Sequence, residues 1–278
     1  MNSVRVLRQL AFKELRDGLR NRWVAAAILV LGGLALVLSL LGSAPTGSVR
    51  ASLLDVSVVS LSSLSVYLLP LIALMLSYDA LVGEFERGTM LLLLTYPVRR
   101  WQVIVGKFIG HVSILFIAIL VGYGGTGLVM ALFSDSGFQG WQSYTLMMAT
   151  SLLLGGVFVA LGYLVSVLVK ERATAAGTAI GLWLVFVVLY DLVLFGILLL
   201  DEGQHIGQQL FKTLMLISPT DTYRMINLSA FEGVRHATGL AGVVDTSSHD
   251  VVMMFGVLLF WIILPITTTL LVFQRREL

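Results

Sequence analysis

The sequence predicts an all-α, polytopic membrane protein with six transmembrane helices. Three observations carry this expectation. First, 58% of the 278 residues are hydrophobic and 12% are charged, with a mean hydropathy of +0.94. A soluble domain has about 25% charged and about 45–50% apolar residues. No soluble core buries so much apolar surface, so lipid must solvate most of this chain. Second, the apolar runs are long and continuous, not alternating with period two. Backbone groups in lipid must pair internally, which leaves helices or a closed barrel, and these runs select helices. Third, Lys and Arg fall on alternate connections, as an even number of spans requires.

The chain reads as one transmembrane domain over 1–278, beginning with a helix over 1–22. There Val4, Leu7, Leu10 (or Ala11), Glu14, Leu15 and Leu19 recur near helical spacing, while Arg5, Arg8, Arg16, Arg20 and Arg22 occupy other faces. This basic amphipathic helix suits an anionic cytoplasmic membrane surface. The apolar stretch after it is span-length, longer than the roughly 7–15 residues of a signal-peptide core. It therefore reads as a retained first span.

Six runs meet the requirement of roughly 20 mostly apolar residues. They are Trp23 to Leu41, Val56 to Ser77, Val103 to Phe133, Leu146 to Val169, Ala175 to Leu200 and Val251 to Phe273. All Lys and Arg except Arg50, Lys212, Arg224 and Arg235 fall on the N-terminal tail, the second and fourth connections with their edges, and the C-terminus. The positive-inside rule then puts both termini in the cytoplasm. The connection over 201–250 is the one sizeable extramembrane region. It lies outside, with short helices expected to dip partly into the interface.

Close-spaced small residues let helices approach in lipid. Gly122, Gly124, Gly125 and Gly127, the pair Gly155 and Gly156, and the GxxxG match Gly177 and Gly181 are read as packing sites, within the bundle or across a dimer. Ser57, Ser60, Ser62, Ser63 and Ser65 of span two are read as bonded within the bundle rather than as a solute path.

Ion-driven carriers keep ionisable groups deep in their spans. Here Asp79 sits at the cytoplasmic end of span two. Asp191 lies roughly 24 Å along span five, near the outer interface, and reads as a solvated helix-end carboxylate. A secondary carrier thus lacks the residues it needs. His111 falls within span three near its cytoplasmic end; His205, His236 and His249 fall outside, and no HxxxH pair occurs, so no metal site is expected. Met215 and Met225 read as packing. There is no cysteine, hence no disulfide or thiolate chemistry. No Gly-x-Ser-x-Gly or HExxH motif is present, and the small net charge of +2 gives no reason for a nucleic-acid partner. Gly83 to Thr89 (GEFERGT) imitates P-loop spacing, but no lysine follows the second glycine and no strand precedes it. This chain therefore has no nucleotide site of its own. Asn227-Leu228-Ser229 matches a glycosylation sequon, relevant only to a secreted eukaryotic protein.

The connection from Tyr78 to Lys107 is the most distinctive. It opens with Asp79, Glu84 and Glu86, passes Arg87-Gly88-Thr89, becomes apolar from Met90 to Leu94, and breaks at Pro97 before Arg99 and Arg100. Gly88 provides a turn and Thr89 a helix cap. A short cytoplasmic helix should result, its mixed acidic and apolar surface suited to another protein's groove. This pattern resembles the type-2 ABC exporter permeases. The residues that match are Glu84, Glu86, Arg87, Gly88, Thr89, Leu91 to Leu94, Pro97, Arg99, Arg100, Gly106 and Lys107.

That resemblance implies a coupling helix in which Glu84, Phe85, Glu86, Arg87, Gly88 and Thr89 contact a cytoplasmic ATPase subunit. The partner, not this chain, would bind ATP and Mg. It also implies that the N-terminal helix is interfacial, and that 201–250 holds re-entrant helices around Ser218-Pro219-Thr220. The start of the chain, GEFERGTMLLLLTYPVRRWQ, and Ser218 to Arg224 further resemble the branch of the family serving maturation of the copper-sulfur site of nitrous oxide reductase in denitrifying bacteria. That branch implies a homodimer in the inner membrane with a periplasmic partner on 201–250. Export of a drug, lipid or polysaccharide is the alternative within the family. A membrane scaffold or a secondary carrier is the alternative outside it.

Overall fold

The computed structural model describes residues 3–42, 53–96, 98–133, 140–201, 208–229 and 248–275. Arg50, Pro97, His205, Arg235, His236 and Arg276, the side chain of His249, and much of 201–250 lie outside these residues. Among the described residues every regular element is helical. In chain order they are α1 (Ser3–Leu19), α2 (Arg22–Gly42), α3 (Leu53–Ser77), α4 (Val82–Glu86), α5 (Thr89–Thr95), α6 (Arg100–Ile119), α7 (Gly125–Phe133), α8 (Trp141–Leu168), α9 (Arg172–Leu184), α10 (Tyr190–Asp201), α11 (Gln208–Ile217), α12 (Pro219–Ser229) and α13 (Ser248–Arg275). One π turn (Leu120–Gly124) joins α6 to α7 and another (Val185–Leu189) joins α9 to α10.

Six segments are long and apolar enough to cross a membrane: Arg22–Leu40, Ser57–Glu86, Arg100–Leu132, Trp141–Leu168, Arg172–Leu200 and Val251–Arg275. They match the six expected runs, but the second continues through α4 to Glu86. The third has 33 residues. That is about 50 Å of helix against a hydrocarbon core of about 30 Å, so one end stands clear of the core.

Span four, α8, is the hub. Of its most apolar stretch 78% is buried, against 6% for span five. It packs against α3, α6, α12 and α13. Gly162 admits Ser77 of α3 where a methyl group would collide, and Gly155 admits Leu115 of α6. These are uses of small residues that bring helices together in lipid.

The N-terminal helix runs beside α6. Leu10 lies on Gly106, Ala11 and Glu14 lie on Gly110, and Gly18 lies on Ile114. Equal steps along the two helices keep them in register, so they run in the same direction and nearly parallel. The Leu7–Leu10–Glu14 face of this helix therefore packs on α6. Val4, Arg5, Arg8, Phe12, Arg16, Leu19 and Arg20 stay exposed. The GxxxG pair that packs within the chain is Gly106 and Gly110, not the expected Gly177 and Gly181. Among the described residues, a Cβ at Gly177 or Gly181 would meet nothing within 4 Å outside its own helix.

The π turns break the regular i→i−4 ladder, and side chains bond to their carbonyls. Tyr144 Oη donates to the Tyr123 carbonyl at 2.6 Å and Thr126 Oγ1 to that of Gly122 at 2.8 Å. Thr220 Oγ1 donates to the Phe186 carbonyl at 3.0 Å in the second π turn. The α12 start follows from its sequence. Ser218 Oγ accepts the Asp221 N–H as an N-cap does, and Pro219 fills the first turn, where no N–H is needed.

Candidate functional site

The basic end of the bundle carries α4 and α5, a helical tip between spans two and three. Two short helices form where one was expected, because Gly88 takes φ +68° and separates them. Only glycine adopts that left-handed conformation without strain. Gly88 is itself the N-cap of α5. Thr89 does not cap; its Oγ1 donates back to the Glu84 carbonyl at 3.3 Å.

The base of the tip is fixed from four sides. Ser166 Oγ of α8 accepts from the N–H groups of Leu81 and Val82, each at 3.0 Å. Phe85 meets Phe273 of α13 edge-on, with ring centroids 6.0 Å apart. Arg100 donates to the carbonyls of Phe273 and Gln274 at 2.8 and 2.9 Å, closing the C-terminal end of α13. Glu86 accepts from the Arg172 N–H at 2.7 Å, and the Arg172 guanidinium pairs with Asp79 at 2.7 Å.

Beneath the tip lies a buried ion cluster. Lys107 Nζ of α6 bonds Glu14 of α1 at 2.7 Å and Glu84 of α4 at 2.8 Å. Lys13 stands outside it, 3.8 Å from Glu84. His111 Nδ1 bonds Tyr163 Oη at 2.7 Å. Burial alone would push the Glu14 carboxyl up, but Lys107, helped by His111 and Lys13, holds it below the ordinary carboxylate value.

The six expected contact residues therefore divide. Glu84 is buried and bound to Lys107, and Phe85 is half-buried against Phe273. Glu86, Arg87, Gly88 and Thr89 are exposed. The apolar run expected after them is partly exposed, with Leu91 at 55% and Leu92 at 66%, and Tyr96, which sequence reasoning did not single out, is 68% exposed. The same reasoning missed Lys107 as a partner of Glu14. The available signal was an opposite charge on each of two otherwise apolar helical stripes.

A second cluster stands farther along the bundle. Arg224 of α12 bonds Asp191 of α10 at 2.7 Å and Asp221 at 3.0 Å. Asp191 is thus ion-paired rather than simply solvated. Burial and the neighbouring Asp191 push the Asp221 carboxyl up to about 6 despite Arg224. Burial would lower the Arg224 guanidinium, but the two aspartates raise it. Beside this cluster, Tyr223 and Ser151 share a hydrogen bond at 2.9 Å, and Asn227 Nδ2 donates to Thr150 Oγ1 at 3.0 Å. Ser65 bonds Tyr123 at 2.7 Å, so this serine of span two serves the bundle as expected. Among the described residues no three His, Asp or Glu side chains converge as metal ligands.

Six long apolar spans with a helical tip fixed between spans two and three define a polytopic membrane protein. The family described as ABC-2 family transporter protein matches residues 8–278, and the chain belongs to it. It is a multi-pass membrane protein and an ABC permease subunit, a class that works with an ATPase in a separate cytoplasmic partner. It is similar to the "Probable ABC transporter permease protein NosY" of Stutzerimonas stutzeri, 43% identical over 270 residues that cover 96% of this chain and 97% of the relative. It is also similar to the protein of the same name in Pseudomonas aeruginosa, 46% identical over 241 residues covering 86% of each.

Proposed function

We propose that this chain couples ATP hydrolysis to movement across a bacterial inner membrane, with both termini cytoplasmic, and that the ATPase docks on the α4–α5 tip. One observation carries the proposal. The tip presents Glu86, Arg87, Gly88, Thr89, Leu91 and Leu92 to solvent at the end where Lys and Arg concentrate, on a base fixed to α6, α8, α9 and α13. Acidic and apolar groups side by side suit docking into a groove. In this reading Glu84 and Phe85 anchor the tip, and Glu86 to Thr89 with Leu91 and Leu92 make the contact. The partner holds ATP and Mg. Closure of two ATPase copies would push the tip, and a tip fixed at its base passes that motion to the spans as a rigid body.

Three further features support the same assembly. The exposed face of span five, with Gly177 and Gly181, suits a helix of a second copy in a homodimer. Helix α12 bonds Thr150 and Ser151, roughly 15 Å along α8 from its first residue, which suits a re-entrant helix. The rest of 201–250 is then the natural seat for a periplasmic partner. The name carried by the relatives supports a role in maturing the copper-sulfur site of nitrous oxide reductase, through transport or mechanical signalling.

The test is Glu86→Lys and Gly88→Pro in the complex with the ATPase. Both chains are expected to insert normally and to lose coupling between the permease and ATP hydrolysis. Unchanged coupling in both would overturn the assignment of the tip.

A further inference from the structure

We infer that Lys107 is a positioning residue that locks α1, α4 and α6 into one unit, so that the tip and the N-terminal helix move together. The inference rests on the reading of the tip as the ATPase contact. Lys107 presents one ammonium group with three donors. Two of them meet carboxylates from two different elements, Glu14 of α1 at 2.7 Å and Glu84 of α4 at 2.8 Å. The Lys107 side chain is 4% exposed, and those of Glu14 and Glu84 are 12% and 11% exposed.

The surrounding packing makes this link specific. Lys107 follows Gly106 and lies three residues before Gly110, the two glycines that admit Leu10 and Glu14. A side chain at either position would push α1 off α6 and take Glu14 away from the ammonium. Lys13 also reaches Glu84, but at 3.8 Å and half-exposed, where a pair is worth little. Among the described residues, the short ion pairs joining α1 to α4 therefore run through Lys107 alone. The cluster borders a polar cavity of about 290 Å³ lined by Lys13, Glu14, Asp79, Glu84, Lys107 and His111. Such a cavity admits water and eases the cost of keeping three charges together.

Displacing the tip without α1 would strip Glu84 from Lys107 and leave buried charge unpaired. Displacing the tip, α6 and α1 together keeps every pair. A push on the tip thus becomes a push on α1, which continues almost directly into span one.

The chain has no cysteine, so two introduced cysteines are unique labels. Arg8→Cys on α1 and Thr95→Cys on α5 both stand exposed. With the labelled chain diluted into unlabelled chain, so that a dimer carries one labelled copy, and in the complex with an ATPase freed of cysteine, spin labels there report the distance between α1 and the tip by pulsed EPR. The expected result is one narrow distance that stays unchanged between the nucleotide-free and ATP-trapped states. Lys107→Gln should broaden it, or make it shift by several ångströms with ATP, and Lys13→Gln should not. Should Lys107→Gln fail to fold, Glu84→Gln is expected to give the same broadening. A distance that shifts with ATP in the unaltered lock, or stays narrow without the charge at either position, would overturn the inference. If the ATPase does not bind at all, the docking assignment alone fails. The labelled permease by itself then decides the lock, through the width of the distance distribution with and without Lys107→Gln.

Discussion

At one end of the bundle a single lysine holds two glutamates; farther along, a single arginine holds two aspartates. The bond lengths are alike, 2.7 and 2.8 Å against 2.7 and 3.0 Å. The settings differ. Lys107 joins three separate elements and is almost fully buried, whereas Arg224 is 25% exposed and shares a helix with Asp221. The protonation behaviour differs too. The Glu14 carboxyl is held low, so its contribution to stability is present above the ordinary carboxylate range and is lost only as pH falls through the lowered value. The Asp221 carboxyl is raised, so its contribution is present below the ordinary value and is lost as pH rises through about 6. The same ratio of charges thus makes one joint that ignores pH near neutrality and one that loosens there.

Removing the cation should separate the two joints most. Lys107→Met leaves two carboxylates buried without their cation, a cost of about 3–5 kcal/mol. Arg224→Met should cost about 1–3 kcal/mol, because the Asp221 side chain is 5% exposed but its raised carboxyl can take up a proton once the cation is gone. Thermal unfolding of the purified variants would read both, and equal losses would show that burial does not distinguish the joints.

A lesser effect concerns how α1 is held over its lysine. A Cβ at Gly110 would lie 2.6 Å from Glu14 Cβ and 3.0 Å from the Ala11 carbonyl. Gly110→Leu should cost about 1–3 kcal/mol by overpacking. A Cβ at Gly177 meets nothing outside its own helix among the described residues, so Gly177→Leu should not lower the melting temperature. A reduced dimer fraction for Gly177→Leu would place that face against a second copy. The most modest change is at Asp221. Stability should fall by about 1 kcal/mol from pH 5 to pH 7 through this group, and Asp221→Asn should flatten that slope. An unchanged slope would mean that Asp221 does not titrate in that range.

The six spans were legible because hydropathy over about 20 residues depends little on tertiary contacts. Gly88 was legible as a turn because positive φ is a local requirement that glycine meets. The partners of Lys107, Glu14 and Arg224 were not, because ion pairs between helices depend on rotation and register, which hydropathy does not record. Glu14 looked like an exception on an apolar stripe, and Lys107 like one more topology charge. Likewise the GxxxG spacing at Gly177 and Gly181 was visible, but spacing does not say which face is inward. Glu84 and Glu86 looked equivalent in sequence; a half-turn of helix buries the first and exposes the second.

Docking of a cytoplasmic ATPase on a tip held by the Lys107 cluster is open to a simple check by co-purification in mild detergent. The unaltered chain is compared with Leu91→Asp and Leu92→Asp. The ATPase should accompany the unaltered chain and be lost from both variants, while their melting temperatures stay the same. An ATPase retained in full by both variants would mean that the tip is not where it docks.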